Sequence, residues 1–252
     1  VLFRSESVGC GYFITRLEEG ASIHSIMHGA WLRREGGEGD GLCLEDDHEG
    51  QIGIGSDETQ IVAPSEVTGL PDGIASIHVG YNYVFALTGD GALWAWGGNH
   101  AGQLGLGLDK YEENQSEPQL VEGLPAVAEV AAGAFHACIR TTTNETWCWG
   151  EYNDGKLGLG SINGNQVGPQ QVTTPEPLIN LTAGLEHTCG LGASGTVYCW
   201  GSNQHKQLGI EGNSKWSPSP MTSNGGFTAI WASKYSTCGM NQALHVLCWG
   251  SN

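Results

Sequence analysis

Gly184–Gly212 reads GLEHTCGLGASGTVYCWGSNQHKQLGIEG, and the chain repeats it. Gly133–Gly160 reads GAFHACIRTTTNETWCWGEYNDGKLGLG, and Gly80–Gly107 reads GYNYVFALTGDGALWAWGGNHAGQLGLG. The Trp-Gly landmark recurs at Trp96, Trp149, Trp200 and Trp249, in steps of 53, 51 and 49 residues. A period of that length without helical periodicity marks an array in which each unit is a small antiparallel sheet. One such unit cannot bury its apolar face alone and has to stack on its neighbours. Ala75–Val79, Val127–Ala131 and Val197–Trp200 are β-branched, alanine-rich or aromatic runs bounded by Gly or Pro, which reads as strands. Many of the 40 glycines fall at turns that need a left-handed backbone or close approach.

The copies resemble the repeat of the regulator-of-chromosome-condensation family, which includes a secreted bacterial beta-lactamase inhibitory protein. Pro118, Ala132-Gly133, His136, Trp149-Gly150 and Leu157-Gly158-Leu159-Gly160 carry the resemblance in one copy. Pro169, Ala183-Gly184, His187-Thr188, Trp200-Gly201, Asn203 and Gln207-Leu208-Gly209 carry it in the next. A degenerate first copy keeps His48-Glu49-Gly50-Gln51-Ile52-Gly53-Ile54-Gly55 against His100-Ala101-Gly102-Gln103-Leu104-Gly105-Leu106-Gly107. The resemblance implies an all-β β-propeller of about seven four-stranded blades. Repeats of 6–61, 62–117, 118–168, 169–217 and 218–252 are expected, four to five blades of such a ring. Val1–Ser5 reads as the leftover of a sequencing adapter and is set aside. The chain begins without Met and stops at Trp249-Gly250-Ser251-Asn252, so it reads as a fragment of a longer ring.

The tryptophans are expected to pack between blades with the indole N–H bonded. His136 and His187 are expected as hydrogen-bonded structural positions, because the same slot holds Tyr83 and Ser236 in other copies.

Cys138 and Cys148, Cys189 and Cys199, and Cys238 and Cys248 are each ten residues apart. Where they are missing, Phe85 and Ala95 replace both together, as bonded partners require. Cys10 and Cys43 occupy the matching positions of the first copy, so eight cysteines make four pairs. A hairpin with a three-residue loop brings such positions face to face, its last loop residue left-handed: Gly91, Gly195 and Asn144 suit that place. Leu244 does not, and a different turn is expected there. Zinc is disfavoured because there is no Cys-x-x-Cys and the pairs belong to separate units. Four disulfides imply an oxidising compartment, extracellular or cell-surface, where the family's best-known members are nuclear or cytosolic.

With 27 acidic and 10 basic residues the net charge is −17, and no basic patch suited to nucleic acid is present. No apolar run approaches the ~18 residues of a membrane span. Sequons at Asn114, Asn144 and Asn180 are candidate glycosylation sites, agreeing with secretion. No catalytic triad, phosphate loop or nucleophile elbow appears, no cofactor is implied, and His24 and His28 lack a third metal ligand. The reading is a non-catalytic binding propeller. Its candidate contact residues are Trp31, Arg33 and Arg34, in an insertion at about 15–39 that lengthens the Cys10–Cys43 interval by 23 residues. The partner expected is a protein. The alternative is a cytoplasmic regulator resembling the family's guanine-nucleotide exchange factor for a small GTPase, which also uses a protruding hairpin.

Overall fold

The computed structural model describes residues 48–55, 67–107, 113–160, 164–222 and 226–251. Cys10, Cys43, Trp31, Arg33, Arg34 and the 15–39 insertion lie outside the described residues.

Among the described residues, fifteen strands form four antiparallel sheets in chain order. The first holds β1 (Ile74–Val79), β2 (Tyr83–Thr88), β3 (Leu93–Gly97) and β4 (Gln115–Leu120). The second holds β5 (Val127–Ala132), β6 (His136–Thr141), β7 (Thr146–Gly150) and β8 (Gln166–Val172). The third holds β9 (Leu178–Ala183), β10 (His187–Gly192), β11 (Val197–Gly201) and β12 (Lys215–Pro220). The fourth holds β13 (Phe227–Ala232), β14 (Ser236–Asn241) and β15 (Val246–Gly250). First strands of successive sheets touch, and apolar clusters fill the space between sheets: the fold is a β-propeller array. Sheet and sequence repeat are out of phase. Pro118 and Pro169, which open repeats in the sequence, lie in the outer strands β4 and β8, where a missing N–H matters least.

The tryptophans close the gaps between units. Trp96, Trp149 and Trp200 are fully buried. Trp96 Nε1 donates to Gln51 O at 3.0 Å and Trp149 Nε1 to Gln103 O at 2.9 Å, both in the preceding repeat's glycine string. In the later copies a hydroxyl takes the equivalent carbonyl: Thr188 Oγ1 donates to Lys156 O and Thr237 Oγ1 to Gln207 O. Thr188 and Thr237 face Trp200 and Trp249 at positions held by Val84 and Ala137 earlier. The strings themselves are turns. Gly53, Gly105 and Gly158 have φ of 81°, 73° and 71°, and a Cβ there would sit 2.5–2.9 Å from the next indole nitrogen. The degenerate 48–55 copy follows the same course, with Gly55 N bonded to Ser116 O as Gly107 N is to Val167 O.

The disulfides join facing positions of the second and third strands, as the spacing implies. Cys138–Cys148, Cys189–Cys199 and Cys238–Cys248 have Cα–Cα distances of 4.1, 4.1 and 4.0 Å. Phe85 faces Ala95 in the same register, a large and a small side chain in place of the bond. The first two disulfides are buried, whereas Cys248 of the third is exposed.

One turn departs from expectation. Leu244 adopts the same left-handed conformation, φ 62°, as Asn144 at 64° and Gly91 and Gly195 at 90° and 83°. Its N–H bonds Asn241 O, the pattern of the other three hairpins, and Asn241 Oδ1 accepts from Ala243 N and His245 N. Side-chain bonding from Asn241 therefore holds a backbone that costs leucine about 1–2 kcal/mol. Leu244 is 74% exposed, so little packing is lost with it. Leu244→Gly is expected to stabilise the chain by about 0.5–1 kcal/mol in chemical denaturation, and a destabilisation would contradict the strain.

Candidate protein-binding face

In each sheet the turn between the first and second strands, and the exit from the third, lie at the same end. The turns are Gly80-Tyr81-Asn82, Gly133-Ala134-Phe135, Gly184-Leu185-Glu186 and Ser233-Lys234-Tyr235. Each is closed by a backbone bond, such as Gly133 N to His136 O at 2.8 Å. Each is also tied to the exit loop of its sheet, as Glu151 N to Phe135 O and Ser202 N to Glu186 O, both 2.8 Å. Neighbouring turns are linked as well, Ala134 N to Leu185 O and Leu185 N to Lys234 O. The result is a surface whose backbone is fixed before anything binds.

Beneath it runs a buried relay. Tyr83 Oη donates to His136 O at 2.6 Å, His136 Nε2 lies 2.9 Å from Thr188 Oγ1, and His187 Nε2 lies 2.9 Å from Thr237 Oγ1. Each threonine gives its one proton to a backbone carbonyl, so each histidine must donate from Nε2. Both Nδ1 atoms are buried without a partner, and Gly133 and Gly184 lie against the rings. Burial therefore holds both imidazoles neutral. It pushes His187 down to about 4 and His136 well below the usual range, with Lys156 and His187 adding charge repulsion. These are structural histidines, as the variable slot implies.

The surface carries aromatic groups with a polar fringe. Tyr81, 56% exposed, tilts against Phe135 at 5.6 Å between ring centroids. His205 stacks on Tyr235 at 4.6 Å, and Lys234 Nζ lies 5.4 Å from the Tyr235 ring. Glu49 binds Asn82 and His100. Lys156, fully buried in the slot held by Gln51, Gln103 and Gln207, joins Glu151 of its own repeat to Glu186 of the next. At the opposite end lie Asp72, Asp90, Glu122, Glu145 and Glu176; the nearby Arg140 is already bonded to Glu129 and Asn144. Ser194 holds the Glu176 carboxyl below its usual value, and Thr88 does so for Asp90.

One exposed aromatic, Tyr81, and two half-buried ones, Phe135 and Tyr235, on a rigid frame suit a polypeptide partner better than a small molecule. Among the described residues no group of three or more His, Cys, Asp or Glu is placed to hold a metal, and no helix is long and apolar enough to cross a membrane. Sequence reading missed this face, because its residues fall at positions that vary from copy to copy: Tyr81, Ala134, Leu185, Lys234, and Asn82, Phe135, Glu186, Tyr235. Of the sequon residues, Asn114 and Asn144 are exposed, the latter at a hairpin tip, while Asn180 is half-buried within β9.

The profile of the Regulator of chromosome condensation (RCC1) repeat matches residues 90–139, 144–191 and 194–241, and a second profile of the same repeat matches 74–103, 127–155 and 179–207. The human probable E3 ubiquitin-protein ligase HERC6 is 30% identical over 189 residues, 73% of this chain and 18% of that protein. The mitochondrial RCC1 domain-containing protein RUG3 of Arabidopsis thaliana is 26% identical over 70% of this chain and 41% of its own length. The chain thus spans less than half of either relative. Human WBSCR16 superposes with a TM-score of 0.75 at 20% identity, covering 82% of this chain and 56% of that one. Saccharomyces cerevisiae Prp20p gives 0.71 at 23% identity, covering 82% and 52%. Those two likenesses are of fold. The repeat matches cover more than half of the sequence, and the chain belongs to the regulator of chromosome condensation (RCC1) repeat family.

Proposed function

We propose that this chain is a non-catalytic, protein-binding propeller of a secreted protein or a cell-surface ectodomain, gripping a polypeptide with the Tyr81–Phe135–Tyr235 face. The single observation that carries the compartment is the set of three disulfides at facing positions of the repeated hairpin. The face supports binding, because its aromatic anchors sit on turns closed by backbone bonds, the second, third and fourth of them also bonded to each other. The insertion carrying Trp31, Arg33 and Arg34 is proposed as a second contact element.

The competing reading is a cytoplasmic regulator. The Prp20p structure was described together with that protein's binding to Gsp1p and histones. The two readings separate on folding. Each ten-residue disulfide loop contributes roughly 2.5–3 kcal/mol in the chain-entropy model. Chain produced behind a secretion signal is expected to carry no free thiol and to resist protease, while chain produced in a reducing cytosol is expected to be digested. An equally resistant reduced chain that accelerates nucleotide release from a small GTPase would overturn the proposal in favour of the regulator.

A further inference from the structure

We infer that Asn144 is an N-glycan acceptor and that Asn180, although it lies in a sequon, is a bare inter-sheet staple; this rests on the oxidising-compartment reading above.

The inference comes from two departures within one hairpin. The last loop residue is Gly91 or Gly195 in two other copies, and here it is Asn144. Two residues on, the first position of the third strand is Leu93, Val197 or Val246 in the other copies, and here it is Thr146. Thr146 is 1% exposed and its hydroxyl has no partner. A buried, unpaired hydroxyl in an apolar slot is destabilising against valine. Nothing in the packing explains it. The sequon does, because an acceptor asparagine requires Ser or Thr two residues later.

The geometry of Asn144 fits the modification. It is exposed at the hairpin tip, its Oδ1 accepts from Arg140 Nη1 at 3.0 Å, and its Nδ2 is unengaged. On the nascent chain Nδ2 attacks the anomeric carbon of a lipid-diphosphate-linked oligosaccharide. The N–C bond forms, the C–O bond to the diphosphate breaks, Nδ2 loses one proton, and the lipid diphosphate leaves. The finished glycan stands on an exposed hairpin tip.

Asn180 is placed oppositely. Its Nδ2 donates to Glu129 Oε1 of the second sheet at 2.7 Å, and its Oδ1 accepts from Ile230 N of the fourth at 3.0 Å. A sugar on that nitrogen would have to leave through a seam between three sheets, so folded chain is expected without it.

The test is the full chain behind a signal peptide in human cells, digested with peptide N-glycosidase in ¹⁸O water and mapped by mass spectrometry. Label at Asn144 and none at Asn180 is the expected result. Asn144→Gly keeps the turn and loses one glycan. Thr146→Val also loses it, and with the glycan absent from both proteins it melts roughly 2–4 °C higher than the parent. An unlabelled Asn144 in chain whose disulfides have formed overturns the inference while leaving the compartment reading intact, and so does a labelled Asn180. If the cysteines stay reduced and the chain is retained, the compartment reading fails instead. Occupancy of Asn144 in that retained pool still decides the glycan, because transfer precedes exit.

Discussion

Acidification from pH 7 to pH 4 is expected to remove about 3 kcal/mol of stability through His187 alone, and more with His136. The unfolded chain binds a proton at each imidazole below about pH 6.5. The native chain does not, because the charged ring would bring a second N–H into a buried site where Nδ1 has no acceptor. His187 takes its proton only near pH 4, and burial holds His136 well below the usual histidine range as well. Between those limits the unfolded state holds more protons, so stability is complete above about pH 6.5 and falls as the pH drops. The positive charge of Lys156 opposes the charging of His136 further. Chemical denaturation at pH 7, 5.5 and 4.5 measures the slope. Gln at both positions keeps a donor for Thr188 and Thr237 but cannot titrate. A double His136→Gln, His187→Gln variant is therefore expected to flatten the profile, and an unchanged slope would assign the effect to carboxylates.

The second large effect concerns the glycines that seat these rings. A Cβ on Gly184 would lie 2.2 Å from His187 Cε1 and 2.4 Å from Ser233 O of the next sheet. The ring is pinned by Thr237 and the carbonyl belongs to a bonded turn, so neither can retreat cheaply. Gly184→Ala is expected to cost about 3 kcal/mol or more, at the upper end of overpacking penalties. Gly89 is the control: its backbone is not left-handed and the nearest atom to a Cβ is Gly73 O at 3.8 Å. Gly89→Ala should lie within about 0.5 kcal/mol of the parent. Equal midpoints for the two variants in a urea titration would refute the close-packed relay.

What was legible in the sequence was whatever the repeat enforces. Ten-residue cysteine spacing is readable because a three-residue hairpin loop leaves only one facing register, and the paired replacement by Phe85 and Ala95 supplies the control. The tryptophan seats were readable from the Trp-Gly landmark. The expected indole bond forms only for Trp96 and Trp149, because Thr188 and Thr237 take the equivalent carbonyl and leave Trp200 and Trp249 Nε1 without a partner. What the repeat does not enforce stayed hidden. Leu244 overrides its own backbone preference because Asn241 bonds the turn from outside the loop, a compensation that propensity alone does not contain. The proposed binding face is formed by the least repetitive residues, so periodicity carries no trace of Tyr81, Phe135 and Tyr235. Lys156 left a usable signal: a lysine where other copies have glutamine, with Glu151 where they have Gly98 and Ser202, two departures in one copy that turn out to be one ion pair.

Disulfides between facing strands hold three of these copies, and the proposed compartment outside the reducing cytosol rests on them. Alkylation of the chain taken from its own source, followed by non-reducing peptide mapping, tests it most directly. The expected map joins Cys138 to Cys148, Cys189 to Cys199 and Cys238 to Cys248, with Cys10 joined to Cys43, and no alkylated thiol. Eight alkylated cysteines, or bonds between different hairpins, would contradict it.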